Sequence, residues 1–305
     1  MSRNRAINTV VDVAFALLFV GIAVLVLSSA NLTERPEQER FDADRTAAVL
    51  GTATFDVTYT VEPALEDAVQ TREIEYDREA VREQRIAHES MAAHVTDAAL
   101  GNLAIDSEQV TPTQSYQSAI DSRLQTQLAG SQFETSVTAH WEPYPGAAVN
   151  GRATVGVEPP PNRDIRTREV TVPSGFETTR EEVITAVEDG GGYAAIAETV
   201  AEITIEGYLP AVESKHALER NGSATILTWY RYERLATLLE EASVEGVREE
   251  IEQTDADPSE ANRKLIAALA AELEPGLRQG FESPRSAASS VSTGTITVTV
   301  RTWDP

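Results

Sequence analysis

Between Val10 and Ala30 the chain reads VVDVAFALLFVGIAVLVLSSA, and the stretch from Val13 to Leu27 is wholly apolar. As a helix these residues span about 32 Å, enough for a hydrocarbon core of ~30 Å. A core helix of a water-soluble domain places a polar residue at every third or fourth position, and this segment places none between Val13 and Leu27. A bilayer is the environment that satisfies it. Arg3 and Arg5 precede the segment, whereas Glu34, Glu37, Glu39, Asp42 and Asp44 outnumber Arg35, Arg40 and Arg45 after it. The positive-inside rule then leaves a short cytoplasmic N-terminus and puts the remainder outside the cell membrane, on a single pass. The expected organisation is residues 1–50 as leader, transmembrane helix and stalk, and residues 51–305 as an extracellular domain.

Charge narrows the function classes. The 305 residues carry 49 acids against 25 bases, a net of -24, and Lys215 and Lys264 are the only lysines. A nucleic-acid binder needs an accumulated basic patch, which is absent, so nucleic acid is excluded as a partner. The chain has no cysteine, which removes disulfide frameworks, thiol nucleophiles and cysteine-based metal sites. With 41% apolar residues it is not a wholly disordered acidic chain. An acidic surface using arginine in place of lysine resembles that of proteins from halophilic archaea, where ~1 M salt screens charge within about 3 Å. In such a protein an acidic stripe is weak evidence for a metal site.

The apolar segment has three open fates. Ser28-Ser29-Ala30 is small enough for signal peptidase, but the stretch exceeds the h-region of about 7–15 residues, which favours retention as an anchor. The third fate follows from Arg5-Ala6-Ile7-Asn8-Thr9-Val10-Val11-Asp12, which resembles the N-terminus of archaeal type IV pilins: a short basic leader, a small residue, a polar hinge and a long apolar helix. The resemblance covers about 25 residues and implies cleavage between Ala6 and Ile7 by a prepilin-type peptidase, followed by packing of the helix among other membrane or pilin-like subunits. Asn8-Thr9 replaces the usual Ser-Pro pair, and Asp12 falls sixth in the mature chain where pilins often place an acid fifth. Gly21, with Ala16 and Ala23 nearby, is the expected helix-packing position.

Beyond the anchor, Glu34–Leu50 reads as a helical stalk ended by Gly51. Strict alternation then marks strands: Phe55, Val57, Tyr59 and Val61; Phe133 through Trp141; Val155 and Val157; Val170 and Val172; and Ile296, Val298 and Val300. Alternation, rather than continuous apolar runs, favours antiparallel pairing. Helices are expected over Arg78–Ala104 and Thr113–Leu128, and on both sides of Gly190-Gly191-Gly192. Asp257-Pro258-Ser259-Glu260 combines an N-cap, a proline at the first helical position and a capping-box acid. The helix that follows, with Leu265, Leu269 and Leu273 along it, is expected to stop at Pro275-Gly276. The fold class is α+β, an antiparallel sheet of about five strands with several helices, the first and last strands bracketing the helices in one domain.

Little in the chain points to chemistry. His88-Glu89 and His94 resemble a zinc-protease helix motif, but histidines six apart lie ~120° from each other around a helix. Glu198, Glu202 and Glu206 make an acidic i, i+4, i+8 stripe, read here as a solvated face. Trp229-Tyr230-Arg231-Tyr232 offers either a docking patch with a cation–π arginine or, as the preferred reading, a core contribution from Tyr230 with Trp229 at its edge. Asn31-Leu32-Thr33 and Asn221-Gly222-Ser223 are glycosylation sequons, so Asn31 and Asn221 are possible acceptors. No catalytic, cofactor or metal residue is assigned. The whole chain resembles membrane-anchored proteins that haloarchaea carry beside pilus-like or secretion machinery, which implies an anchored pilin-like or accessory subunit. A tethered extracellular binding domain or hydrolase is the alternative, marked by a deep pocket with converging carboxylates.

Overall fold

The computed structural model describes residues 41–61, 84–111, 113–128, 133–177, 180–220, 222–252 and 255–305. The alternating run ending at Trp141 forms β5 (Glu134–Trp141) of a six-stranded antiparallel sheet. Its neighbours are β6 (Val149–Gly156) and β8 (Thr295–Trp303). β7 (Arg166–Pro173) lies outside β8, while β3 (Leu103–Ile105) and β4 (Glu108–Gln109) lie outside β6, giving the order β4-β3-β6-β5-β8-β7. Register puts Val137 opposite Val155 on one side and Val300 on the other. Val137, Ala139, Trp141, Val149, Ala153, Val155, Ile296, Val298 and Val300 therefore share one face, and all are buried. Thr138, Thr154, Thr297 and Thr299 occupy the opposite face.

The first alternating run is a separate element. β1 (Thr54–Thr60) pairs only with β2 (Gln84–Ser90) in a two-stranded antiparallel sheet. This corrects two expectations: the run at Phe55 is not a strand of the main sheet, and the described part of the 78–104 segment is not one helix. Ile86, which a 78–104 helix would place roughly along one side with Val81, Met91 and Val95, is 71% exposed. The helix α2 (Met91–Gly101) begins only after Ser90, whose side chain accepts a hydrogen bond from the Ala93 amide at 3.2 Å. That N-cap marks the strand-to-helix change.

Helix α1 (Phe41–Thr52) precedes β1 and sets Leu50 into the core. Helix α3 (Gln114–Gln127) packs beside β1 and β6. β6 pairs with β3 only at 149–151, and side chains take over the edge beyond. Asn102 donates to the Arg152 carbonyl at 3.0 Å and Gln117 to the Thr154 carbonyl at 2.7 Å, while Asp121 accepts from the Gly156 amide at 2.6 Å. An open row of backbone groups invites another strand; these three positions are filled from the chain itself. Gly151 lets α2 approach, since a Cβ there would lie 2.5 Å from the Ala99 carbonyl oxygen.

The remaining helices are α4 (Arg180–Glu188), α5 (Gly192–Tyr208), α6 (Ala211–Leu218), α7 (Ser223–Leu238), α8 (Val244–Glu252), α9 (Pro258–Gly280) and α10 (Pro284–Ser290). The glycine run interrupts the helical block as expected: Gly190, at φ +93°, and Gly191 lie between α4 and α5, and Gly192 opens α5. Asp257 caps α9 as its sequence indicates, accepting from the Glu260 amide at 3.2 Å. The helix does not stop at Pro275 but runs to Gly280. Pro275 removes one backbone donor, yet Leu273 and Leu277 on either side are fully buried, and their burial outweighs the lost bond.

Helices α5 and α9 pack along each other, and a polar knot ties them to α7. The Tyr232 hydroxyl donates to Asn262 Oδ1 at 2.7 Å, and Asn262 Nδ2 donates to the Leu209 carbonyl at 2.8 Å and to Glu206 at 3.0 Å. Asn262 and Tyr232 have no exposed surface. Tyr232, not Tyr230, is thus the core residue of the aromatic run, while Trp229 is half-buried against the core as expected.

Candidate functional site

The inner face of the β1–β2 sheet carries Phe55, Val57 and Tyr59 from one strand and Arg85, Ala87 and Glu89 from the other, following the strand period of two. Helices α2, α3 and α7 close against it and leave a cavity of about 220 Å³. Its walls include Tyr59, Arg85, Asp97, Tyr116, Leu227 and Arg231. A second hollow adjoins it, sharing Asp97, Gly101 and Arg231 and bounded further by Phe176 and Tyr208.

His94 fixes one wall. It is fully buried, with Nε2 3.1 Å from the Phe55 carbonyl and Nδ1 2.8 Å from the Tyr116 hydroxyl. A carbonyl only accepts, so Nε2 carries the hydrogen, and in the neutral ring Tyr116 donates to Nδ1. Burial pushes the Tyr116 phenol well above its ordinary range, helped by Asp97, Tyr59 and Glu89. Tyr59 and Tyr116 stand with ring centroids 4.5 Å apart.

Asp97 sits at the mouth, with part of its surface still open to water. Crowding by its surroundings raises its carboxyl from 3.8 to about 7, and the Glu89 carboxylate adds repulsion and a hydrogen bond that favours the protonated acid. Arg231 lies across the cavity wall with its guanidinium 5.2 Å from the centre of the Tyr208 ring. The Tyr208 hydroxyl is held in turn by Thr111 at 2.9 Å. The Nε of Arg231 is buried and finds no hydrogen-bond partner among the described residues. Arg85 is anchored weakly, 3.5 Å from the Ser223 hydroxyl.

Of the residues singled out from sequence, Arg231, His94 and Glu89 belong to this site, and the others fall elsewhere. His88 is on the outer face of β2, exposed and 2.7 Å from Asp56, so it and His94 occupy different elements rather than one helix. Glu198 and Glu202 are exposed on α5, and Glu206 is engaged by Asn262. His216 is exposed, 3.8 Å from Glu219. Ala6, Ile7, Asp12, Gly21, Asn31 and Asn221 lie outside the described residues. Asp97, Arg85 and Tyr116 escaped sequence reasoning because β2, α2 and α3 bring them together without any spacing signature, and Glu89 was noticed only beside His88, for a motif the fold does not form. Among the described residues no group of three or more His, Asp or Glu side chains is placed to hold a metal ion, and no helix is long and apolar enough to cross a membrane.

A family model described as a family of unknown function (DUF7284) matches residues 11–303. The chain belongs to the DUF7284 family. The DUF7284 match takes in the apolar segment from Val11 onward as well as every element that builds the cavity. No curated protein and no solved structure matches the chain.

Proposed function

We propose that this DUF7284 protein is a single-pass membrane-anchored surface protein, a pilin-like or accessory subunit of a type IV pilus-like or secretion assembly. The observation that carries the proposal is the 21-residue segment Val10–Ala30 behind a basic leader. The family match spans that segment from Val11 onward together with the domain. In this reading the bilayer and neighbouring membrane subunits are the partners, and the acidic domain stands outside the cell.

The cavity favours a second reading, a membrane-tethered external binding domain. The two readings separate at the mature N-terminus, measured by sequencing and intact mass on protein purified from native membranes. A chain starting at Ile7 is the expected result for the pilin-like subunit. A start at Met1 or Ser2 leaves a plain anchor and transfers weight to the tethered binding domain. A start near Asn31 would mean a secreted soluble protein and would overturn both.

A further inference from the structure

We propose that the cavity beneath the β1–β2 sheet binds a small organic carboxylate, gripped by Arg231 and Arg85 and covered along its hydrocarbon part by Tyr59, Tyr116 and Leu227. This inference rests on the second reading, that the external domain binds a ligand. Three independent observations converge on the ligand class.

The first is local charge. In a chain with 49 acids and 25 bases, the charged residues of this cavity wall are Arg85, Arg231 and Asp97, a reversal of the overall balance. An anion is drawn to such a spot and repelled by the surface around it, which is how a charged site selects its ligand. The second is preorganisation. Arg231 is stacked on Tyr208, whose hydroxyl is tied to Thr111, so the guanidinium plane is held in place. A carboxylate supplies two coplanar acceptor oxygens to a guanidinium fork, which matches this donor better than a single carbonyl would. The third is size and lining. At about 220 Å³ the space is smaller than the roughly 300 Å³ at which drug-sized pockets begin. Its lining is aromatic and aliphatic apart from the arginines, Asp97 and the residues Thr60, Thr111, Thr113 and Ser115, suiting a compact apolar body with one polar end. The Asp97 carboxyl at the mouth, when protonated, adds a donor to the same oxygens.

The test uses the full-length chain in detergent and molar KCl, where long-range attraction is screened within about 3 Å and direct contact is what remains. Benzoate, benzyl alcohol and benzamidine, three probes of one shape with a carboxylate, a neutral and a cationic head, are titrated while thermal unfolding is followed. The expected result is a saturable rise in unfolding temperature with benzoate alone. Arg231→Gln should weaken benzoate at least tenfold, and Arg248→Gln, which alters an arginine on α8, should leave it unchanged. If Arg231→Gln does not fold, Arg85→Gln serves, with a loss of at least threefold expected. Saturation by benzamidine or benzyl alcohol but not benzoate overturns the carboxylate assignment while leaving a binding domain in place. No response to any of the three overturns both. Full benzoate affinity in Arg231→Gln, or in Arg85→Gln where that variant serves, likewise defeats the proposal.

Discussion

Replacing Asn262 by leucine separates hydrogen bonding from packing in the helical half of the domain. Leucine has the same branched shape with two bulkier methyl groups in place of the amide, so the substitution leaves no cavity, yet it can neither accept from Tyr232 nor donate to Leu209 and Glu206. Tyr232 is fully buried and Leu209 is 2% exposed, so the Leu209 carbonyl would lose its partner with no water to replace it, and the tyrosine hydroxyl would be left with Ser214 alone. Each such orphan costs about 1–3 kcal/mol. Glu206 is only half-buried and can turn to solvent, so it adds little. The expected loss is roughly 2–4 kcal/mol, read as a shift of the urea midpoint at unchanged slope. Tyr232→Phe alone should cost about 1–2 kcal/mol, since it leaves Asn262 Oδ1 without its donor. Combining the two should cost less than their sum by about 1 kcal/mol or more, because one orphan disappears when both partners go. An Asn262→Leu protein within about 0.5 kcal/mol of the parent, or strict additivity in the double variant, would refute the claim that the knot holds α5, α7 and α9 together.

Two further outcomes follow from the geometry. Gly151→Ala should cost about 1–3 kcal/mol, since its Cβ meets the Ala99 carbonyl oxygen at 2.5 Å, while Gly51→Ala, with nothing within 4 Å, should stabilise helix α1 by up to ~1 kcal/mol; paired denaturation curves check both signs. For Asp97, a rise from 3.8 to about 7 would be worth roughly 4 kcal/mol at about 1.4 kcal/mol per pH unit, but water still reaches the carboxyl and screening leaves about 1 kcal/mol. The folded state holds this proton more tightly than the unfolded one, so the protonated acid's contribution is complete below pH 3.8 and is lost as pH rises through about 7. Asp97→Asn should therefore unfold a few degrees above the parent at pH 8 and level with it at pH 4, and a gain of equal size at both pH values would disprove the linkage.

The strands of the main sheet were legible because one face is buried and their period-two pattern is undisturbed in β5, β6 and β8. The cap at Asp257 was legible for a similar reason: capping is local, and its residues lie within four positions. Where the reading went astray, tertiary packing overrode local pattern. Pro275 is a stop signal by itself, but Leu273 and Leu277 both reach the core and carry the helix past it. In β2 an exposed Ile86 imitated a core position, and nothing within the strand announced that its partner was β1. The cavity was the least legible part, since its arginines, acid and tyrosines come from five separate elements. Asn262 gave no warning either, because an asparagine on an amphipathic helix reads as a surface residue until its three partners are known.

Strand β8 has a consequence for how the protein is born. It does not flank the sheet but fills the gap between β5 and β7, joining Val137 to Val300 on one side and Val170 to Val298 on the other. Synthesis runs from the amino end, so every other described element has emerged before the sheet's missing middle arrives. The entropy of closing such long loops is repaid only at that moment. A chain threaded outward through a membrane in the same order would remain pliable throughout its passage and lock once residues Thr295–Trp303 had cleared the far side.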